Sequence, residues 1–155
     1  MKSIVVRMAN AFGAPIDKKV NCWMLVVNDL CRQAAINREL IIRDPSNIVR
    51  NFTSMTNVSL GLEFLITNPN ERSYPLICNL GDQTISIGEI ASKIKRIYEE
   101  DRKINIELIE LSNILSEKQH LEFKSSVLKD LGFKSVSNFK QELDDLINFC
   151  ELEFG

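Results

Sequence analysis

The sequence predicts an α+β fold for one domain of residues 1–155, with a small antiparallel sheet and a buried helix in its N-terminal half. Short alternating apolar segments, typical of strands, are confined to the first 87 residues. Helical spacing of apolar residues dominates the remainder, so the C-terminal half is predicted to be helical. A length of 155 residues suits a single domain with its own core. A helical subdomain at residues 104–155 is the alternative organisation.

The first elements are predicted to be a strand, a loop and a helix. Ile4, Val6 and Met8 alternate with polar or outer positions, which predicts a strand, and residues 10–15 contain the Gly and Pro of a loop. From about Asp17 to Ala34 apolar residues recur every three or four positions and predict a buried helix. A strand at residues 22–27 is the alternative, because that run is rich in Val and aromatic character.

The middle of the chain is predicted to alternate between short elements. Residues 46–53 follow a Pro-containing turn and predict a short helix, whereas residues 58–67 alternate in polarity and predict a strand. Residues 75–80 and 83–87 flank Gly81-Asp82, which is typical of a β-hairpin.

Helix signals dominate after residue 86. Ser86 and Glu89 have the spacing of a capping box, in which each side chain binds the other residue's backbone N–H, and a helix is predicted to follow. Residues 104–111 fit a strand and a helix equally well. A second capping box at residues 116–119 predicts a helix that ends at Gly132, and a last helix is predicted from about Asn138.

Charge, cysteine usage and hydropathy bound the class of protein. Residues 1–72 carry nine basic and six acidic side chains, whereas residues 73–155 carry ten basic and fifteen acidic ones. The four cysteines form no CxxC pair, and no apolar run approaches the ~20 residues of a membrane span. With an N-terminal apolar stretch too short for a signal peptide, we expect a cytoplasmic protein with reduced thiols and no membrane association.

Several catalytic and cofactor motifs are missing from the sequence. Neither the GxxxxGK[ST] phosphate loop nor the GxGxxG dinucleotide fingerprint occurs, and a single histidine excludes HExxH. The wide cysteine spacing does not favour zinc. His120 lies in a polar stretch and is interpreted as a surface residue. We therefore expect no catalytic residues, no metal and no cofactor, and rank an enzyme below two binding functions.

An acidic C-terminal helix indicates a partner. Glu151 and Glu153 lie near the end of the predicted helix, where negative charge opposes the helix dipole, and no basic residue follows Lys140. Such a departure from local rules is typical of a functional surface. The predicted partner-binding residues are Glu142, Asp144, Asp145, Glu151 and Glu153.

These observations favour a non-catalytic protein that binds another, basic protein. Within that class, an immunity or inhibitor protein that neutralises a nuclease-like toxin fits best, because an acidic helix can cover a basic substrate cleft. The alternative is an accessory nucleic-acid-binding or regulatory module that uses the basic segment 93–103. Its candidate residues are Lys93, Lys95, Arg96, Arg102 and Lys103.

Overall fold

The computed structural model describes residues 3–68, 74–112, 121–136 and 138–155. Within them the chain forms seven strands: β1 (Ile4–Met8), β2 (Asn10–Phe12), β3 (Glu39–Ile42), β4 (Val49–Ser54), β5 (Leu76–Leu80), β6 (Gln83–Ser86) and β7 (Glu107–Glu110). The α-helices are α1 (Val26–Asn37), α2 (Met55–Thr67), α3 (Ile87–Arg96), α4 (Ser126–Asp130) and α5 (Phe139–Phe154). A π-helical turn, Ile97–Asp101, continues α3.

Strand pairing is mainly parallel. β1 pairs with β5, β2 with β4 and β3 with β7 in parallel, whereas β6 runs antiparallel to β4. Parallel neighbours need long crossover connections, and α1 lies on the connection between β2 and β4. The prediction of a small antiparallel sheet is therefore wrong.

The hairpin predicted around Gly81-Asp82 is not formed, because the strands on either side of it have different partners. β5 pairs with β1, and β6 pairs with β4. Between them Asp82 N–H donates to Phe52 O and to Asn51 Oδ1, at 3.1 Å in each case. A Cβ at Gly81 would lie 2.1 Å from Asn51 Oδ1, so this glycine lets the chain pass close to β4 as it changes sheets.

Two adjacent elements have the opposite structure to the one predicted. Residues 46–53 were expected to be helical but contain most of β4, and residues 58–67 were expected to be a strand but belong to α2. The buried residues of α2 are Asn57, Val58, Gly61 and Leu65, which is helical spacing. Ser54 begins the helix, since its Oγ accepts a hydrogen bond from Asn57 N–H at 3.0 Å.

Helix α1 begins later than the sequence predicts. It starts at Val26 rather than near Asp17, and the preceding Leu25 is extended, with φ −75° and ψ 129°. Asp17 accepts a hydrogen bond from Lys19 N–H at 2.8 Å, a local turn that competes with helix formation. The alternative strand at residues 22–27 is not formed either.

In the C-terminal half the first capping box is confirmed. Ser86 Oγ accepts from Glu89 N–H at 3.1 Å and Glu89 Oε2 accepts from Ser86 N–H at 2.6 Å. The ambiguous residues 104–111 contain strand β7, and the predicted start of the last helix is confirmed because Asn138 caps α5. The second capping box, at residues 116–119, lies outside the described residues. The long helix predicted from it to Gly132 is wrong, because residues 121–125 are not helical and only the short helix α4 precedes Gly132.

Two apolar clusters form the core. The larger joins α1, α3 and α5 to β3 and β4, and the smaller joins α2 and α4 to β1 and β5. The inner face of α5 is fully buried at Leu143, Leu146, Ile147 and Cys150. None of the helices in the described part of the chain is long and apolar enough to cross a membrane.

Candidate functional site

The predicted partner-binding residues lie on α5 and mostly contact other residues of their own chain. Arg102 Nη1 lies 2.7 Å from Asp144 Oδ1, and Arg102 Nε lies 3.0 Å from Glu151 Oε2. Glu151 also approaches Arg38, at 3.5 Å. Arg102 is only 14% exposed, so these ion pairs attach the end of the π-helical turn to α5.

The remaining acidic residues of α5 are on its outer side. Glu153 pairs with Lys18 at 3.2 Å, and Asp145 Oδ1 accepts from Gln141 Nε2 at 2.9 Å. Glu142 lies in the first turn, where a negative charge is favourable to the helix dipole. Lys18, Arg38 and Arg102 thus supply from other segments the positive charge that α5 lacks near its own end, and the use of these carboxylates as a partner surface stays a prediction.

The basic segment 93–103 is also partly engaged. Lys95 pairs with Glu99 at 2.7 Å and donates to Ile106 O, whereas Arg96 approaches Glu100 at 3.9 Å. Lys103 is exposed and has a positive φ of 58°. Lys93 is exposed and lines a cavity of about 290 Å³ between α3 and the start of α5. The structure thus gathers Lys93 and Arg96 at one cavity but directs Arg102 elsewhere.

The described residues provide no evidence for catalysis by a reactive thiol or by a histidine. Burial raises the pKa of Cys150 to about 12 and raises the pKa of Cys31 well above its ordinary value, so both thiols stay protonated near neutral pH. His120 lies outside the described residues. No group of three or more His, Cys, Asp or Glu that could hold a metal occurs in the part of the chain that is described.

A crevice opens where two parallel strands end. β2 ends at Phe12 and β4 at Ser54 in register, so the loop after β2 and the start of α2 lie side by side. In sheets of parallel strands with covering helices, ligands bind in the crevice beyond the carboxyl ends of the strands. Here a cavity of about 290 Å³, the β-end cavity, is lined by Ala11, Phe12, Gly13, Ala14, Pro15, Ile16, Val20, Cys22, Leu25, Asn28 and Met55.

A buried asparagine fixes the loop that borders the β-end cavity. Asn28 on α1 is 1% exposed; its Nδ2 donates to Gly13 O at 3.1 Å and its Oδ1 accepts from Gly13 N–H at 3.4 Å. Gly13 has φ 155°, a conformation that L side chains rarely adopt, and a Cβ there would lie 3.2 Å from Met55 Cβ. Two hydrogen bonds thus hold the backbone of the loop at Gly13 against α1.

A second cavity lies on the other side of the first turns of α1. This helix-side cavity, of about 170 Å³, is lined by Met24, Val26, Asp29, Leu30, Ile41, Ile42, Arg43, Asp44 and Ile87. Asp29 accepts from Gln33 Nε2 at 2.6 Å and pairs with Arg43 at 3.6 Å, and Gln33 Oε1 accepts from Ile41 N–H at 2.8 Å. These polar contacts hold the end of β3 against α1.

The start of α1 separates the two cavities and has no capping side chain. Leu25, at the N-cap position, has no side chain that can accept a hydrogen bond from the first turn of the helix, and its own N–H donates to Cys22 O at 3.2 Å. The aligned peptide dipoles place partial positive charge at this end of the helix. Asp29, in the first turn of α1, and Asp44 line the helix-side cavity beside this terminus, and Arg43 is the cation that pairs with Asp29.

Sequence reasoning missed this site. Its lining comes from residues 11–16, from several residues between 20 and 30, from residues 41–44, and from Met55 and Ile87, and the pairing of distant strands brings these segments together. The one local signal was the Gly13-Ala14-Pro15 loop beyond the first predicted strand.

No known family model and no curated protein matches this sequence. Solved structures do share its fold. RMD from Pseudomonas aeruginosa, complexed with NADPH, is similar over 96% of this chain and 48% of its own, with a TM-score of 0.73 and 17% identity.

Two further structures show the same likeness. UDP-glucuronic acid 4-epimerase from Bacillus cereus, in complex with UDP-glucuronic acid and NAD, has a TM-score of 0.72 and 14% identity over 96% of this chain and 45% of its own. dTDP-glucose 4,6-dehydratase from Bacillus anthracis, in complex with NAD, has a TM-score of 0.70 and 14% identity over 97% of this chain and 44% of its own. The chain thus spans less than half the length of each.

The structural likeness corrects two predictions. The fold is an α/β fold with parallel strands, not an antiparallel α+β domain. The prediction of a non-catalytic immunity or inhibitor protein that neutralises a toxin, with its nucleic-acid-binding alternative, is also wrong, since proteins with this fold include an epimerase and a dehydratase in complex with NAD.

Proposed function

We propose that this chain binds a nucleoside diphosphate sugar, as the part of an NAD(P)-dependent sugar-nucleotide enzyme that holds the substrate. The observation that carries the proposal is the pair of cavities on either side of the uncapped start of α1. Similar structures support the ligand class, because one was solved with UDP-glucuronic acid and another with UDP-glucose.

Each part of such a ligand has a counterpart in the site. The sugar would lie in the β-end cavity, against Asn28 and the loop at Gly13. The diphosphate would lie at the start of α1, where the helix dipole favours an anion and Arg43, 3.6 Å from Asp29, supplies a nearby cation. The base would lie in the helix-side cavity between Met24 and Ile42, with Arg43 at its border.

The proposal gives this chain the tasks of binding and orientation. Asn28 and Gly13 hold the loop rigid, so the sugar would meet a preformed wall rather than a mobile one. The sequence contains no GxGxxG fingerprint, and the proposal assigns the nicotinamide cofactor to a separate unit. We also propose a cytoplasmic location, in which the four cysteines would stay reduced.

The test is a titration with UDP-glucuronic acid and dTDP-glucose, followed by the fluorescence of Trp23, the single tryptophan, and by calorimetry. Trp23 directly precedes Met24 in the helix-side cavity, so a bound base should change its emission. We expect saturable binding of the nucleotide sugars, weaker binding of UDP, and none of free glucuronic acid. Absence of binding to both nucleotide sugars at millimolar concentration would overturn the proposal.

A matched pair of variants locates the binding. Ala14 is exposed and lines the β-end cavity, so Ala14→Phe should fill it without disturbing the core. Ile36 is 51% exposed near the opposite end of α1, so Ile36→Phe is the control. We expect roughly a tenfold or greater loss of affinity for Ala14→Phe alone, about 1.4 kcal/mol or more. Equal affinities of the two variants would place binding elsewhere.

A further inference from the structure

The cavity between α3 and the start of α5, the α3–α5 cavity, is lined by three cations. Lys93 and Arg96 lie three positions apart on α3, so their side chains share one face of that helix. Lys140, in the first turn of α5, faces them across the cavity. Among the described residues no acidic side chain lines this cavity, and its lining shares no residue with the β-end cavity or the helix-side cavity.

Two carboxylates lie near these cations without neutralising all of them. Lys140 Nζ lies 2.8 Å from an Asp101 carboxylate oxygen, and Arg96 Nε lies 3.9 Å from Glu100. Both pairs are well exposed, and exposed ion pairs are weak enough for the cations to turn towards another anion. Lys93 is exposed, and no carboxylate in the described part of the chain pairs with it. The cavity therefore has an excess of positive charge.

The floor of the α3–α5 cavity is apolar and fixed. Ile97, Phe139 and Leu143 line it and are buried. The Phe139 ring lies 4.9 Å from the Phe12 ring, which packs it into the core. At Ile97 the π-helical turn begins, with Arg102 N–H donating to Ile97 O at 3.3 Å, and such turns are frequent at functional sites. The cavity thus combines a preformed apolar wall with a cationic rim.

We propose that the α3–α5 cavity binds a small phosphate monoester with an apolar body, as a second ligand site separate from that of the nucleotide sugar. A phosphate monoester carries about −1.5 to −2 charges at pH 7, and Arg and Lys are its usual partners in proteins. The cavity of about 290 Å³ has room for more than the phosphate group, and ligand sites are mostly apolar with a few charged groups. The body of the ligand would lie against Phe139 and Leu143.

The anion would bind to side chains rather than to the first amides of α5. Asn138 Oδ1 already accepts from Lys140 N–H at 3.1 Å and from Gln141 N–H at 3.3 Å. The positive charge of Lys140 near a helix N-terminus is unfavourable to the helix dipole. A phosphate between Lys140 and Lys93 would offset that repulsion.

The probe is phenyl phosphate, added to the isotope-labelled protein while backbone amide shifts are followed by NMR. We expect saturable shifts in residues 93–97 and 138–143, roughly tenfold weaker binding of inorganic phosphate, which lacks the apolar body, and no binding of neutral phenol. Absence of phenyl phosphate binding at millimolar concentration would overturn the proposal. Shifts confined to residues 11–29 would also overturn it, because they would place the phosphate at the nucleotide-sugar site.

A matched pair of lysine variants tests the cationic rim. Lys93 and Lys129 are both exposed and both lie in the last turn of their helices, but Lys129 is on α4, in the smaller apolar cluster. Lys93→Glu should weaken phenyl phosphate binding about tenfold or more, and Lys129→Glu less than about twofold. Equal losses would show that only the net charge of the protein matters and would overturn the site. Thermal denaturation checks that both variants are folded.

Discussion

At the scale of single residues, Arg102 has more partners than any other cation discussed above. It contacts Asp144, Glu151 and Asn148, and its guanidinium lies 5.4 Å from the centre of the Tyr98 ring. Arg38 lies 5.6 Å from the same ring. Two cations near one buried aromatic ring thus balance the carboxylates of α5.

The first prediction concerns this cluster. Arg102→Gln should lower the free energy of unfolding by about 2–3 kcal/mol, because charged hydrogen bonds to Asp144 and Glu151 are lost in a poorly solvated place. Arg96→Gln is the control: Arg96 is 69% exposed and 3.9 Å from Glu100, so its loss should change stability by less than about 0.5 kcal/mol. Urea denaturation measures both, and equal effects would contradict the assignment.

A second residue-scale prediction concerns pH. A hydrogen bond from Lys140 lowers the pKa of the exposed Asp101 carboxyl below its usual range. A lowered pKa in the folded state means that this pair stabilises the fold above the ordinary pKa of aspartate and ceases to do so as the pH falls through the lowered pKa. Lys140→Met should return the Asp101 midpoint towards its ordinary value in an NMR titration. An unchanged midpoint would show that the pair is not formed in solution.

A third prediction uses the thiols. Cys22 is half-buried and lines the β-end cavity, whereas Cys31, Cys78 and Cys150 are buried. Iodoacetamide at pH 8 should therefore modify Cys22 first. Saturating UDP-glucuronic acid should slow the modification of Cys22 in the folded protein but not in a denatured sample. First labelling of Cys150 would contradict the burial that raises its pKa.

At the scale of elements, the packing of α2 on β5 depends on one glycine. A Cβ at Gly61 would lie 2.0 Å from Leu80 Cδ1, and Leu80 is 1% exposed, so its side chain has little room to move. Here close approach of the helix to the sheet requires glycine in a helix interior, although glycine disfavours helix by about 1 kcal/mol relative to alanine.

Gly61→Ala should therefore destabilise the protein by about 1–3 kcal/mol through overpacking, against the gain in helix propensity. Glu63→Ala, at an exposed position of the same helix, should be neutral or slightly stabilising. Thermal denaturation of the two variants decides the point, and a more stable Gly61→Ala protein would show that Leu80 moves aside freely.

At this scale the starts of helices could be predicted from local capping residues, but the elements against which a segment packs could not. The Ser86–Glu89 capping box and the Asn138 cap depend only on neighbouring residues, and both helices begin where the sequence indicates. Segment 58–67 was predicted as a strand because Leu60, Leu62 and Phe64 alternate, yet the contact with β5 buries Val58, Gly61 and Leu65 instead. Tertiary packing decides between two periods that a short apolar run satisfies equally.

At the scale of the whole molecule, the parallel pairs could not be predicted from local pattern. Along the chain, β1 and β5 are separated by β2, α1, β3, β4 and α2. The sequence of neither strand specifies the strand with which it pairs. The candidate site has the same origin, since the ends of β2 and β4 adjoin only after that pairing. The Gly81-Asp82 signal thus predicts a hairpin, but the strands on its two sides pair with β1 and β4 rather than with each other.

The helical subdomain considered at residues 104–155 can be tested at this scale. α5 contributes four fully buried residues to a cluster that also contains Leu30, Cys31 and Ala34 of α1. A chain ended after residue 103 should therefore lose its cooperative thermal transition, as followed by circular dichroism. Retention of a sharp transition would show that the remainder folds by itself.

The anchoring of Trp23 has a consequence for thermodynamic linkage. Its ring packs edge-on against Phe154 at 5.0 Å, its Nε1 donates to Lys18 O at 2.8 Å, and Lys18 pairs with Glu153 in the last turn of α5. The segment that leads into α1 thus touches the end of α5 on one side and the helix-side cavity on the other. If an ordered last turn of α5 increases the affinity for a ligand that orders this segment, the bound ligand stabilises that turn by the same coupling free energy.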